Sequence, residues 1–323
     1  MTHTDGIEYT GWQLKSDYAV RPPAVSVMFR WYAHLGQPHS VMKDLFDLGV
    51  RKRRFGVVGY PVEHSKSPQI HRLFAQQCGL ELEYTAIQLD RGGFVQGVHN
   101  LQAGGVCGLN VTLPFKEEAY QLCDHMSDRA ETAAAVNTLC FRDEDDIYGD
   151  NTDGVGLVTD VEENLGLKLH GRRLLLLGAG GAARGVLQPL LKAGPQKLVI
   201  ANRTAEKARQ LAFAFADHGP VEAVGLDHLS GYHYDLVVNA TSASLSGQIP
   251  TLPDTLFAAN GLAYDMMYGD EPTVFMQWAE GHGAGQVSDG LGMLVEQAAA
   301  SFYLWNEIKP QTEEIIHLVR QMW

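Results

Sequence analysis

An amine and a carboxylate that meet across a cleft can pass a proton to and from a reacting oxygen, and this chain holds a candidate for each. The amine is Lys116, closing the run Asn110-Val-Thr-Leu-Pro-Phe-Lys116 just past an apolar stretch that reads as a strand. The carboxylate is Asp153, within the polar run Gly149-Asp-Asn-Thr-Asp-Gly154. Reduction of a ketone needs a group that gives a proton to the developing alkoxide, and a lysine steadied by an aspartate suits that task. The aspartate would favour the ammonium form, while exclusion of water would favour the amine. Taken singly, Lys116 reads as a surface lysine and Asp153 as a turn residue. A third cluster, His64-Ser-Lys-Ser-Pro68, sets two hydroxyls before a helix start, where free backbone N–H groups favour anions. Ser65 and Ser67 would then cradle a carboxylate; capping alone would need only Ser67.

A different chemistry is carried by Arg172-Arg-Leu-Leu-Leu-Leu-Gly-Ala-Gly-Gly-Ala-Ala-Arg184, where an apolar strand runs into a glycine turn and a helix start. Gly178 permits the tight turn, Gly180 lets a diphosphate approach the backbone, and Ala183 stands where helix–strand packing needs a small residue. Ala179, Gly181 and Ala182 complete the cradle, and the first N–H groups of the helix would hold the phosphates. A lone G-x-G-x-x-A is weak evidence, because tight turns before helices also use glycine. Its place between strand and helix gives it weight. The next strand ends Ile200-Ala-Asn-Arg-Thr204, with no acid where an NAD-binding unit would carry one for the ribose 2′-hydroxyl. Arg203 can instead pair with a 2′-phosphate, flanked by Asn202 and Thr204, with Lys207 one helical turn on. The expected cofactor is therefore NADP rather than NAD. The bland alternative is that Arg203 and Lys207 are ordinary charges at a helix start.

These residues must be held by regular elements. Residues 55–59 read as a short buried strand, and Ser67-Pro68 as the N-cap and first residue of a helix running to Gly79. Residues 82–89 alternate as a strand, 93–103 read as a helix and 105–111 as a third strand. Residues 136–141 and 147–149 flank an acidic turn as a hairpin, and 155–165 form a helix. A second series places strands at 174–177, 198–201, 236–239 and 262–265, with a long helix at 291–305. The predicted fold is α/β in two domains. One is an N-terminal α/β substrate domain with a mixed, mostly parallel sheet; the other is a Rossmann-like NADP-binding domain.

Composition bounds the function. The chain has 323 residues, long enough for two domains, with 45% hydrophobic and 20% charged residues, as in globular proteins. Its 25 Lys and Arg against 38 Asp and Glu give a net charge of −13, which argues against nucleic acid and anionic membrane as partners. No apolar run is long enough to predict a membrane span. Cys78, Cys107, Cys123 and Cys140 are not spaced as C-x-x-C or set beside His, so they predict free thiols in a reducing cytoplasm and no metal site. Residues 1–53 have scattered aromatics, Pro22-Pro23 and no sustained period, and read as a poorly ordered extension; Met28 or Met42 is an alternative start.

Taken together, these clusters, with Ala135-Val-Asn-Thr138 and Asp289-Gly-Leu-Gly-Met-Leu294, occur in an order that resembles the shikimate dehydrogenase family from about residue 55 to the C-terminus. The resemblance implies NADPH-dependent reduction of 3-dehydroshikimate to shikimate, a step of aromatic amino-acid biosynthesis, in the cytoplasm. It implies Lys116 as acid/base with Asp153 as partner, and Ser65 and Ser67 on the substrate carboxylate. Thr112, Asn137 and Gln297 would bind the ring hydroxyls and the carboxylate region, with Tyr268 closing the pocket. Asp128, Met266 and Gly290 match positions that approach the cofactor. Residues 54–152 would form the substrate domain, completed by C-terminal helices in 290–323, and 153–289 the cofactor domain. A homodimer is left open. Two rivals remain: a quinate/shikimate dehydrogenase that also uses NAD, against which Asn202-Arg-Thr204 speaks, and a non-catalytic metabolite sensor, against which the Lys116/Asp153 pair speaks.

Overall fold

The computed structural model describes residues 52–143, 146–241, 243 and 247–322. The expected N-terminal extension lies almost wholly outside the described residues; Arg53 already belongs to the first strand.

Two six-stranded sheets organise the described chain. The first is built from β1 (Arg53–Gly59), β2 (Leu82–Gln88), β3 (Val106–Val111), β4 (His125–Met126), β5 (Thr138–Asp143) and β6 (Asp146–Asp150), in the spatial order β2-β1-β3-β5-β6-β4. β1 runs parallel to β2 and β3, whereas β5 is antiparallel to both β3 and β6, so the sheet is mixed as expected. This topology brings one edge together from four directions. The carboxyl ends of β1, β3 and β6 and the amino end of β5 all lie there, with Thr138 opposite both Asn110 and Asp150.

The second sheet is wholly parallel and is built from β7 (Arg173–Leu177), β8 (Lys197–Asn202), β9 (Val221–Gly225), β10 (Tyr234–Asn239), β11 (Phe257–Asp265) and β12 (Gln286–Ser288). Its order is β12-β11-β10-β7-β8-β9, so the chain reverses direction across the sheet between β7 and β10. Ligands of such sheets sit beyond the carboxyl ends of the strands at that switch. The four leucines of β7 show why the sequence folds this way. Leu174 and Leu176 enter one core with Val186, Leu187 and Leu190, and Leu175 and Leu177 enter the other with Leu256 and Phe275. A strand buried on both faces reads as a continuous apolar run.

The helices are α1 (Ser67–Cys78), α2 (Phe94–Ala103), α3 (Lys116–Leu122), α4 (Asp128–Ala133), α5 (Asp153–Thr159), α6 (Gly181–Lys192), α7 (Ala205–Ala214), α8 (Val274–Gly281), α9 (Leu291–Asn306) and α10 (Glu313–Arg320). α9 follows the second sheet but shares a core with α1, where Ile70 and Phe74 meet Leu291, Val295 and Phe302. Between α6 and α9 lies α5, and two glycines let it fit. A Cβ on Gly154 would stand 2.6 Å from Pro189 Cγ, and one on Gly156 only 2.7 Å from Gln297 N and Met293 O.

Three expectations need correction. Ser67 is the first helical residue rather than the N-cap; Lys66 holds the cap position and gives no side-chain cap. The expected helix at 155–165 is α5 followed by a π-helical turn at Asp160–Asn164. Asp160 is fully in the interior, accepting from Tyr264 OH at 2.6 Å and Asn164 Nδ2 at 2.9 Å, and these bonds accompany the wider turn. The short strands β4, β9 and β12 were not expected, because two to five residues are too few to display a period.

Candidate active site

Lys116 is the first residue of α3 and Asp153 the first of α5. The two come from different elements, yet Nζ lies 2.5 Å from Asp153 Oδ2. Each carboxylate oxygen has its own partner, since Asn137 Nδ2 donates to Oδ1 at 2.8 Å. Asn137, just before β5, is buried, and its own Oδ1 accepts from the Thr152 N–H at 2.9 Å. Its Nδ2 also lies 3.2 Å from Gln297 Oε1, while Gln297 Nε2 donates to Leu294 O at 2.8 Å on its own helix. Four predicted residues, Lys116, Asp153, Asn137 and Gln297, are thus joined by one hydrogen-bonded cluster.

The polar run before α5 divides its labour. Asp150 points into the protein, where Arg129 Nε reaches Oδ1 at 2.7 Å and Nη2 reaches Oδ2. Burial opposes the charge of Arg129, but the hydrogen bonds and charge of Asp150 prevail and push it up. The Asn151 N–H donates to Asp150 Oδ1 at 2.7 Å, and Asn151 Nδ2 to Ala135 O at 3.0 Å. This clamp fixes the loop from which Asp153 reaches the lysine. Residue type alone does not tell the clamp from the pair; the resemblance assigns Asp153 to the lysine and is silent on Asp150. Arg129 was missed; only its proximity to a cluster of acids in the folded chain gives it away.

Ser65 lies in the loop after β1 and Thr112 directly after β3, on the same edge as Lys116. Ser65 Oγ accepts from the Ser67 N–H at 3.3 Å, so the hydroxyl of Ser65 does the local work assigned to Ser67 and leaves Ser67 free of capping. Ser67 is buried beside the hydroxyl of Tyr84, whose phenol burial pushes well up while the bond to Ser67 pulls it back. Tyr268 is half-buried against the apolar core that α1 and α9 share; burial, then the charge of Asp289, raises its phenol.

At the carboxyl end of the second sheet lies a cleft of about 1160 Å³. Gly178, Ala179, Gly180, Gly181 and Ala182 line it, together with Asn202 and Arg203 from the end of β8. Gly178 has a φ of 108°, a conformation that an L side chain rarely adopts. Nothing stands within 4 Å of a Cβ built on Gly180 or Gly181, so their bareness keeps space open rather than permitting protein packing. Arg203 is exposed and has no ion pair or hydrogen bond among the described residues. Open backbone at a helix start and an unpaired guanidinium at the other wall fit a dinucleotide with an extra phosphate.

Other predicted cofactor residues stand outside that lining. Thr204 and Lys207 are exposed at the start of α7, and Asp128 is exposed at the start of α4. Met266 follows β11, its N–H donating to Asn239 O at 3.0 Å, and Gly290 lies against the Met266 backbone. Conversely, the cleft is lined by Ala240 and Thr241 after β10, by Asp227 and Ser230, and by residues 248–253, none of which the sequence singled out. Only the topological rule points to the end of β10, and it requires the strand order.

Two sheets, one doubly wound and parallel, with a glycine turn at the first helix and a lysine–aspartate pair beside it, define an α/β protein of the dehydrogenase class. Family models agree: "Shikimate dehydrogenase substrate binding domain" matches residues 57–139, "Shikimate / quinate 5-dehydrogenase" 160–246, and "Shikimate 5'-dehydrogenase C-terminal domain" 290–320. A shikimate dehydrogenase (NADP(+)) of Thioalkalivibrio sulfidiphilus is 53% identical over 267 residues, covering 83% of this chain and 98% of the relative. Among solved structures, an Ael1 enzyme from Pseudomonas putida aligns with a TM-score of 0.78 and 45% identity over 83% of this chain and 98% of its own. The Thermus thermophilus shikimate 5-dehydrogenase, solved with NADP(H) and shikimate, aligns with a TM-score of 0.74 and 33% identity, covering 84% and 100%. The chain belongs to the shikimate dehydrogenase family.

Proposed function

We propose that this chain catalyses the reversible, NADPH-dependent reduction of 3-dehydroshikimate to shikimate. The observation that carries the reading is the 2.5 Å contact of Lys116 with Asp153 on the edge where Ser65, Thr112 and Asn137 also lie. In the reducing direction, the Lys116 ammonium gives a proton from Nζ to the carbonyl oxygen as it becomes an alkoxide; in the oxidising direction, the amine takes that proton back. Asp153 holds the lysine by one oxygen while Asn137 holds the other, so the pair is oriented before substrate arrives. Ser65 and Ser67 take the substrate carboxylate, Thr112, Asn137 and Gln297 the ring hydroxyls and carboxylate region, and Tyr268 closes the pocket.

Gly178–Ala182 would hold the diphosphate of NADP and Asn202, Arg203, Thr204 and Lys207 its 2′-phosphate end, with Asp128, Met266 and Gly290 as further residues that would approach it. When bound, the nicotinamide supplies the two-electron redox chemistry. On this reading residues 54–152, completed by 290–323, form the substrate domain and 153–289 the cofactor domain. The activity fits the cytoplasm, with no nucleic acid as partner and a homodimer as the assembly to test. Among the described residues no helix is long and apolar enough to cross a membrane.

The test is a spectrophotometric assay of shikimate with NADP, with quinate and NAD alongside. Rapid reduction of NADP by shikimate is expected. Equal efficiency with NAD would defeat the cofactor assignment, and shikimate binding without turnover would make the chain a sensor.

A further inference from the structure

Thr138 and Ser301 are fully buried, and neither has a part in the reaction as described above. Thr138 opens β5, and its hydroxyl lies 2.9 Å from Asn137 Oδ1 and 2.7 Å from Ser301 Oγ. Asn110 Nδ2 donates to the two hydroxyls, at 3.2 and 3.0 Å, while Asn110 Oδ1 accepts from Tyr84 OH at 2.7 Å. Ser301 sits four residues beyond Gln297, on the same side of α9, and donates to Gln297 O at 3.1 Å.

Groups without a choice fix the direction of this network at Asn137. The Thr152 N–H can only donate, so it is Oδ1 of Asn137 that faces it and Nδ2 that faces Asp153. Ser301 has one proton and more than one oxygen in reach, Gln297 O at 3.1 Å and Thr138 Oγ1 at 2.7 Å among them, and either hydroxyl can be the donor of the Thr138–Ser301 contact. Asn137 Oδ1 can only accept, so in the Thr138–Asn137 contact the single proton of Thr138 is the one donated. Its hydroxyl braces the end of the Asn137 amide opposite the one that holds Asp153.

We propose that Thr138, braced by Ser301, is a positioning residue that pins the Asn137 amide against Asp153 Oδ1, keeping Oδ2 for Lys116. The proposal rests on the functional reading above. Buried networks of this kind hold one arrangement when every member is satisfied, and they loosen together when one member is lost.

Thr138→Val keeps the shape of the side chain and removes the hydroxyl, whereas Thr138→Ser keeps the hydroxyl. The variants are compared with wild type for kcat, for KM of shikimate and of NADP, for the pH profile of shikimate oxidation, and for Tm. T138V is expected to lose about tenfold in kcat with KM for NADP unchanged, and to shift the half-maximal pH of oxidation by roughly half a unit. T138S is expected to stay within about twofold of wild type. If T138V does not fold, Ser301→Ala carries the same expectation from the other side of the contact. A folded T138V with wild-type kcat and pH profile overturns the proposal, as does a T138S that loses as much as T138V. A wild-type protein without shikimate-dependent turnover would instead bring down the functional reading, and the proposal with it.

Discussion

Lys116 and Asp153 were both recognisable in the sequence as chemistry-bearing types, but their meeting was not, because they stand 37 positions apart on different helices. On the proposed mechanism, truncating the lysine removes the proton carrier and leaves Asp153, Asn137 and the proposed substrate ligands in place. Lys116→Ala is therefore expected to lower kcat by a factor on the order of 10² to 10⁴ with KM for shikimate nearly unchanged. A large rise in KM at normal kcat would make Lys116 a binding residue. Arg203 was singled out because an acid is missing where an NAD-binding strand would end with one, and the structure places it on the lining of the cleft. Arg203→Ala should raise KM for NADP by tenfold or more, on the order of one lost charge-assisted contact, and leave KM for NAD nearly as it was. Equal effects on both cofactors would place the guanidinium away from the 2′-phosphate. Asp150 shows the limit of such reading. Its residue type matches Asp153, and only the hairpin register that turns it toward Arg129 separates their roles.

Long elements were legible and close fits between them were not. β7 and α6 follow from a four-leucine run and a glycine turn, and α9 from a stretch of Leu, Ala and aromatics. That α5 is wedged between α6 and α9 depends on the absence of side chains at Gly154 and Gly156, and an absent side chain carries no period. Gly156→Ala would drive a methyl against Gln297 N and Met293 O, both of them backbone atoms that cannot rotate away. A loss of about 1–3 kcal/mol in unfolding free energy is expected, with reduced turnover because Asp153 and Gln297 ride on the two helices being parted. Gly281→Ala, where a Cβ would meet nothing within 4 Å, should change stability by less than about 1 kcal/mol. Denaturant titration of the two variants compares the fits directly; equal effects would show that the close approach at Gly156 has no special cost.

Across the whole molecule, the number and kind of layers could be read from the alternation of strands and helices, but the order of strands could not, since many orders share one alternation. Nor could the sequence expose His71. Its ring is buried, stacks on Tyr84 at 4.1 Å, and finds no hydrogen-bond partner for Nε2 among the described residues, and burial lowers it to about 3. The folded protein thus keeps His71 neutral while the unfolded chain would protonate it near pH 6.5. Its contribution to stability is whole above the unfolded value and is lost as pH falls from there toward 3, at up to about 1.4 kcal/mol per unit. Asp160 runs in the opposite sense, because burial raises it, so its contribution fades as pH rises. His71→Phe is expected to flatten the fall in unfolding free energy between about pH 6 and pH 4. Denaturation curves across that range measure it, and an unchanged slope would assign the acid sensitivity to other groups.

The return of α9 to the first sheet has a consequence for how the protein is made. Asn137 meets Gln297 across 160 positions, and Thr138 meets Ser301 across 163. A ribosome releases Lys116, Asn137 and Asp153 long before it has made α9. The nascent chain therefore carries the lysine and the aspartate with the polar pocket around Asn137 still open to water. Translation halted anywhere between Asp153 and α9 would leave a polypeptide with both members of the Lys116–Asp153 pair and without the helix that closes over Asn137. Competence for turnover is acquired only as synthesis nears its end.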